Sequence, residues 1–368
     1  MKIVIAAGGT GGHLFPGIAV ANALKKADPA GACLFIGTDR GIEKGILPKE
    51  GFRHEALRVG KLKGVGILRK IKTLLGLPRA IREAGKILQR EGADFVLGVG
   101  GYSSGPVILS AFLKKIPRAI IEPNAIPGFT NKILGKFVDR VFVAFPEAGK
   151  FFPKEKVSVT GTPVREGLYR ISNSEDRISG GGKKFTLLIL GGSQGAASLN
   201  RTVMSLLPCL KSAGPAFRIV HQTGEKDFES VKRIYEISGV DHVVQPFFTD
   251  VASLYKEADL VVCRAGASTI AELVATRTPA IFVPYPFAAD DHQRFNALSI
   301  VSAGGGEMIL DRNLGEGRES PLLERILFYS KNRDALDVLK RKLAELDKIP
   351  ASAAVAQQCL ELAHVSNT

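Results

Sequence analysis

Short apolar runs alternate with longer amphipathic stretches along the chain. The runs Ile3–Ala7, Ala32–Ile36, Phe95–Val99, Ala119–Glu122, Arg140–Val143 and Val157–Thr160 read as strands. A second series follows at Thr186–Leu190, Arg218–Gln222, His242–Gln245, Leu260–Cys263 and Ala280–Val283. Helical stretches separate most of them, and that alternation predicts parallel sheets covered by helices. Eleven strands are too many for one comfortable sheet. The chain also begins twice. Residues 2–24 run strand, Gly8-Gly9-Thr10-Gly11-Gly12, helix; residues 185–207 run strand, Gly191-Gly192-Ser193-Gln194-Gly195, helix. Each is the opening unit of a nucleotide-binding α/β half. The expected fold class is therefore α/β, with two Rossmann-like doubly wound parallel-sheet domains, over 1–163 and 164–345. The polar, glycine-rich segment 172–184 reads as a linker or surface loop. From Pro321 on the pattern is helical, and a tail helix of about 346–368 is expected to pack back, on the first domain.

Composition narrows the class. Hydrophobic residues make up 45% and charged residues 23%, a globular balance that excludes disordered, collagenous and disulfide-scaffold chains. Basic residues outnumber acidic ones by 50 to 36, a net charge of +14. The excess lies entirely in the first half: residues 1–163 hold 26 Lys and Arg against 12 Asp and Glu, and the remaining 205 hold 24 of each. Lys61–Arg90 alone carries nine basic residues and one acidic one. A polyanion-facing surface belongs there.

Within it, Gly64–Arg90 has helical apolar spacing at Ile67, Leu68, Ile71, Leu74 and Leu75. It reads either as an ordinary amphipathic helix with its stripe in the core or as a basic element on an anionic bilayer. No aromatic residue interleaves with its charges, so single-stranded nucleic acid is not an expected partner. Cys33, Cys209, Cys263 and Cys359 lie far apart with no CxxC spacing; they fit a reducing compartment and give no zinc signature. The amino-terminal apolar run is too short for a signal peptide. No apolar run reaches the 18 residues of a membrane span, so a cytoplasmic protein is expected, one that lies on a membrane at most.

Chemistry concentrates in the loops. GGTGGHLFPG is neither a Walker A sequence nor a strict dinucleotide fingerprint, and by itself it is a tight turn or a ligand loop. His13 adds a side chain that titrates near neutrality at a helix start, which suits a general base. GVGGYSSG (98–105) and Glu122-Pro123-Asn124 follow two further strands of the first half, at the strand ends that form the ligand crevice of such folds. In the second half, Gly191–Gly195 is either a tight turn or a helix start whose free N–H groups suit a diphosphate, and the small-residue run 263–272 leads into another helix. Glu272 either accepts from ribose hydroxyls or complements a helix dipole. Asp290 and Asp291 suggest a metal only weakly, since no further ligand cluster supports one. Arg165, in Thr162-Pro163-Val164-Arg165, either ties the two halves together or reaches a diphosphate.

Taken together, GGTGGHLFPG (8–17), GVGGYSSGP (98–106), EPNAIPG (122–128), TPVR (162–165), GGSQGA (191–196), CRAGASTIAE (263–272) and DDHQRFNA (290–297) resemble the MurG family of bacterial glycosyltransferases, in order across about 290 residues. The resemblance implies a GT-B architecture with an interdomain cleft, the amino-terminal domain taking the acceptor and the other the donor. It implies an inverting transfer of N-acetylglucosamine from UDP-N-acetylglucosamine to the C4 hydroxyl of the N-acetylmuramoyl residue of undecaprenyl-diphosphate-linked lipid I, giving lipid II for peptidoglycan at the cytoplasmic face of the membrane.

Carried onto this chain, Thr10, Gly11, Gly12, Asn124, Arg165, Ser193 and Gln293 would contact the donor, and Glu272 the ribose. Ala267, Ser268 and Thr269 would present backbone to the diphosphate, and Phe248 would stand at the uracil. His13 is the expected base and Glu122 the other titratable candidate. UDP-N-acetylglucosamine is a substrate, so no cofactor is implied, and the sequence is silent on metal stimulation. Two departures stand out: Pro123 replaces a common glutamine and offers no backbone N–H, and Thr162 replaces a common asparagine. Another GT-B lipid glycosyltransferase or a UDP-sugar 2-epimerase are the alternative readings.

Overall fold

The computed structural model describes all residues except 9–10, 39–41, 60–66, 102, 173–183, 193–194, 214–215, 347–349 and 366–368; side chains of 67–74 and 170–172 also lie outside the description. The chain divides into two compact units, residues 1–165 with 349–368, and residues 166–348.

In the first unit, β1 (Lys2–Ala7), α1 (Gly11–Ala27), β2 (Ala32–Thr38), α2 (Glu43–Ile46), β3 (Arg53–Leu57), α3 (Ile67–Glu91), β4 (Phe95–Gly100), α4 (Ser104–Leu113), β5 (Arg118–Glu122), α5 (Phe129–Leu134), β6 (Arg140–Val143) and β7 (Val157–Val159) follow in order. The strands form a parallel sheet ordered β3-β2-β1-β4-β5-β6-β7. The chain steps outward to β3, returns to β4 beside β1, and continues the other way. That reversal brings the carboxyl ends of β1 and β4 together, the place where such sheets bind ligands.

The second unit runs α6 (Glu166–Ser172), β8 (Phe185–Leu190), α7 (Ala197–Ser212), β9 (Phe217–Gln222), α8 (Phe228–Ser238), β10 (Asp241–Gln245), α9 (Val251–Glu257), β11 (Leu260–Cys263), α10 (Ala267–Thr276), β12 (Ala280–Phe282), α11 (His292–Ser302), β13 (Glu307–Met308), α12 (Pro321–Lys331) and α13 (Arg333–Leu346). Its parallel sheet is ordered β10-β9-β8-β11-β12-β13, with the same reversal between β8 and β11. The last helix, α14 (Ala351–Val365), belongs to the first unit and packs on α1.

Central strands such as β1 and β11 are apolar almost throughout because helices cover both faces. On one side of the first sheet, α1 and α14 supply Leu14, Ile18, Leu24, Val355, Ala356 and Cys359 to the core. On the other, α3 and α4 supply Ala84, Leu88, Val107 and Ile108. The stripe Ala80, Ala84, Ile87 and Leu88 of α3 is therefore core, while Leu75 is exposed.

Two strands escape the sequence pattern. β3 reads Arg-His-Glu-Ala-Leu and lies at a sheet edge, so no apolar run marks it. β13 has two residues and sits at the opposite edge of the second sheet. The boundary also differs from the expected 163/164: it falls after Arg165, so Val164 and Arg165 belong with the first unit, and the second continues to 348. The glycine-rich segment 173–183 lies outside the described residues.

Leu14 is wholly buried between sheet and helix layer. Leu14→Ala should therefore lower the unfolding free energy by about 2–5 kcal/mol, measured by urea denaturation; a loss under about 1 kcal/mol would contradict that packing.

Candidate active site

In the first unit the site starts where β1 and β4 end. The pairing between them slips at Ala6/Ala7, so Ala7 lies opposite Gly100. Gly100 and Gly101 then adopt φ of +124° and +84°, values that L side chains rarely take. Space forbids a side chain there as well. A Cβ on Gly101 would stand well under 3.0 Å from the carbonyl oxygen of Gly8, and one on Gly100 equally close to the ring of His13. Ser104, at the start of α4, fastens the crossing. Its Oγ accepts from the N–H of Gly100 at 3.0 Å and lies within donating reach of the carbonyls of Ala6 (2.8 Å) and Gly100 (2.7 Å).

His13 sits on the first turn of α1, half-buried against this backbone floor. Burial lowers its pKa from the usual 6.5, opposed in part by a hydrogen bond to the backbone of Gly8. A ring donating to a carbonyl while neutral keeps its second nitrogen as a proton acceptor. Gly11 opens the same turn and a Cβ there would press on the Phe15 ring at 3.1 Å; Gly12 is exposed. Thr10 lies outside the described residues. Arg165 stacks over Phe15, its guanidinium carbon 5.2 Å from the ring centroid.

Glu122 ends β5, the next strand. It is fully buried, and its oxygens are already spoken for. Oε1 accepts from Asn124 N (2.9 Å) and Asn124 Nδ2 (3.2 Å), and Oε2 from Gly128 N (3.2 Å) and Asn131 Nδ2 (2.9 Å). Burial raises its pKa, with those hydrogen bonds pulling the other way. Four N–H donors on the carboxylate of Glu122, the other titratable candidate beside His13, shape the loop that carries Asn124. A second buried carboxylate, Glu43, was not foreseen. Its Oε1 accepts from Thr38 N (2.7 Å) and Thr38 Oγ1 (2.9 Å), and it lies 2.5 Å from where a Gly8 Cβ would stand. Nothing in its sequence context marks it.

In the second unit Gly192 and Gly195 take φ of +81° and +77°, and a Cβ on Gly195 would stand 2.5 Å from the Thr223 carbonyl oxygen. Ser193 lies outside the described residues. Gly266 caps α10 without a side chain. The first-turn N–H groups of Ala267, Ser268 and Thr269 thus have no side-chain cap and a positive dipole end behind them, the elements of an anion site.

Glu272 follows on α10 and accepts from the Tyr255 hydroxyl at 3.0 Å. Phe248 is half-buried, its N–H donating to Gln222 Oε1 at 3.0 Å. Gln293, on α11, accepts from Tyr285 N through Oε1 at 3.0 Å. Arg264 ties the surrounding loops: it donates to Asp311 (2.5 Å), Ser198 (2.9 Å) and the carbonyls of Val283 (3.1 Å) and Pro284 (3.3 Å). Asp290 and Asp291 both adopt left-handed backbone, φ 55° and 52°. Among the described residues no group of three or more His, Cys, Asp or Glu is arranged to hold a metal ion.

Two parallel-sheet α/β units, each with a glycine loop at its topological reversal, define the class. Residues 3–143 match the glycosyltransferase family 28 N-terminal domain and residues 186–347 its C-terminal domain. The architecture is consistent with GT-B, and the protein is an enzyme of that class, a glycosyltransferase. The chain is 42% identical, over 98% of its length and 99% of the relative's, to the UDP-N-acetylglucosamine--N-acetylmuramyl-(pentapeptide) pyrophosphoryl-undecaprenol N-acetylglucosamine transferase of Syntrophus aciditrophicus (strain SB). It is 44% identical to the same-named protein of Citrifermentans bemidjiense, with 95% and 98% covered. The crystal structure of Acinetobacter baumannii MurG matches it with a TM-score of 0.79 at 30% identity, covering 98% of this chain and 99% of that one. The chain belongs to the MurG family. A putative UDP-N-acetylglucosamine 2-epimerase from Listeria monocytogenes matches with a TM-score of 0.70 at 13% identity; that likeness shows the fold alone.

The crossing of the two glycine loops gives a prediction. Gly101→Ala forces a methyl group into the Gly8 carbonyl at positive φ, a strain of about 1–3 kcal/mol. Turnover should fall about tenfold or more with the circular dichroism spectrum unchanged. Near-normal turnover would show that the loops separate freely.

Proposed function

We propose that the protein transfers N-acetylglucosamine from UDP-N-acetylglucosamine to the C4 hydroxyl of the N-acetylmuramoyl residue of undecaprenyl-diphosphate-linked lipid I, forming lipid II. Family membership over nearly the whole chain supports the reaction. The observation that carries it to particular residues is the seat of His13 on the crossed backbones of Gly8 and Gly100. In this reading the acceptor O4 attacks the anomeric carbon, the C1–O4 bond forms as the bond from C1 to the UDP oxygen breaks, and His13 takes the hydroxyl proton. Inversion follows from a single displacement.

The second unit holds the donor. Its departing negative charge meets the N–H groups at the start of α10 and the Gly191–Gly195 loop, dipoles already oriented before reaction. Arg165 adds a cation. Glu272 takes the ribose, Phe248 lies at the uracil, and Gln293 with Thr10, Gly11, Gly12, Asn124 and Ser193 completes the donor contacts. Glu122 acts through the loop it shapes.

His13→Ala should cost about 10²–10⁴-fold in turnover, read as radiolabel transferred from UDP-N-acetylglucosamine to a lipid I analogue. The sign of the pH effect follows from the lowered pKa. The ring stays neutral down to a pH below 6.5 and is protonated, hence lost as a base, below that. The acid limb of kcat/KM should therefore lie below pH 6.5 and vanish in His13→Ala. A limb that persists in the variant would assign the base elsewhere, and label transferred without any lipid acceptor would argue for the epimerase reading.

The first unit, in our reading, lies on the anionic cytoplasmic face of the membrane. Among the described residues no helix is long and apolar enough to cross a membrane. The charge excess of residues 1–163 supports surface attachment. So does a mixed apolar and basic surface on α4 and α5, where Leu113 and Phe129 are 69% and 77% exposed with Lys114, Lys115 and Lys132 beside them in the chain. The side chains of Arg69, Lys70 and Lys72 lie outside the described residues. Their joint reversal to Glu should weaken binding to vesicles containing anionic lipid while UDP affinity stays unchanged, both measured on the same preparation. Unchanged vesicle binding would return α3 to the role of an ordinary amphipathic helix.

A further inference from the structure

Glu272 does not face its ligand as a free side chain. The Tyr255 hydroxyl donates to its Oε2 at 3.0 Å, and an ionised carboxylate only accepts, so the direction of that bond is fixed. Tyr255 is one of the largest fully buried side chains of the chain, 1% exposed. Buried hydroxyls also tie the two backbones. Thr276 Oγ1 lies 2.8 Å from the Glu272 carbonyl and 2.8 Å from Thr278 Oγ1, which reaches the Tyr255 carbonyl at 3.4 Å. The carboxylate is thus held from α9 by a ring that cannot swing and from α10 by the backbone of its own helix.

We propose that Tyr255 is a positioning residue which, through Glu272, makes the donor site selective for a ribonucleotide over its deoxy analogues. The proposal rests on the reading of Glu272 as the ribose carboxylate. A glutamate left to itself populates many rotamers and loses that freedom on binding. One whose Oε2 is pinned presents its remaining acceptor positions in one direction before the ligand arrives. A pre-aimed acceptor gains from a hydroxyl in the right place. It also penalises a missing one, because a partly buried acceptor is then left unpaired. Without the phenol that hold on Oε2 is lost, and the penalty shrinks. The tyrosine supplies no contact to the ligand and no proton to the reaction.

The test measures affinity for UDP, 2′-deoxy-UDP and 3′-deoxy-UDP by calorimetry on the full chain, with the unfolding midpoint of each variant recorded. The native protein should prefer UDP over at least one deoxy analogue, and Glu272→Ala should abolish that preference. Tyr255→Phe should reduce it by about three- to tenfold, the size of one net hydrogen bond, with the loss falling on UDP rather than on the deoxy analogue. A Tyr255→Phe protein that keeps the native preference, or that weakens all three ligands equally, overturns the inference, since equal weakening is the mark of loosened packing alone. If Tyr255→Phe does not fold, Tyr255→Met, also without a donor, is read by the same criterion. Equal affinity of the native protein for all three ligands, or a Glu272→Ala protein that keeps the preference, overturns the reading of Glu272 itself, and the inference falls with it.

Discussion

Two stretches of backbone in the first unit approach more closely than any side chain permits, and the site is built outward from that approach. The order β1-β4-β5 sets three strand ends side by side. Loops leaving adjacent strand ends normally diverge. Here the Gly8 carbonyl occupies the place of a Gly101 Cβ, and the His13 ring that of a Gly100 Cβ. Only glycine satisfies both the space and the positive φ. The crossing gives His13 a floor of backbone, which removes water from one face of the ring and lowers its pKa.

Buried carboxylates then hold what the glycines bend. Taking an ionised carboxylate out of water costs several kcal/mol unless donors replace the lost solvation. Glu43 finds them in Thr38, and Glu122 in Asn124, Gly128 and Asn131. For Glu122 all four donors are N–H groups, so only the charged form satisfies them. Burial pushes its pKa up and the donors push it down, with burial the larger effect. A carboxylate in that balance is poorly suited to shuttling protons. Each proton taken up would release donors that fix the Asn124 loop, so loop geometry and protonation are coupled.

The sheets were legible because parallel strands covered on both faces must be apolar end to end, and β1, β4, β8 and β11 read as such runs. β3 and β13 were not, because an edge strand covered on one side needs no such run and a two-residue strand leaves no pattern. The glycine loops stood out as composition, but which glycines meet which backbone did not, since Gly8 and Gly101 are brought together only by the fold. Supporting side chains were hardest to read. Arg264 is joined to Ser198 and Asp311 across 66 and 47 residues, and Tyr255 to Glu272 from one helix to another. His13 and Glu272 were visible because a titratable group beside small residues at a helix start is rare. Glu43 sits on a four-residue helix with no such context.

The two units seat their glycine loops on histidines of opposite kind. His221 is fully buried under the Gly191–Gly195 loop, and its pKa is pushed down to about 3 by burial. Asn200 Nδ2 donates to the Thr223 carbonyl and to Asp227, so Asn200 Oδ1 must accept from His221 Nε2–H. His221 Nδ1 is then left to accept from the Tyr235 hydroxyl. One tautomer satisfies every group. The Thr223 carbonyl held by this chain is the one that excludes a side chain from Gly195. The glycine loop of the second unit therefore rests on a histidine that stays neutral across any physiological pH. His13 is half-buried, and the hydrogen bond to the Gly8 backbone partly offsets the effect of burial on its pKa, so the loop of the first unit rests on a histidine nearer the solvent. Depth of burial is the physical difference between the two histidines. It fits His221 to a supporting role in the second unit and His13 to the proton transfer proposed above.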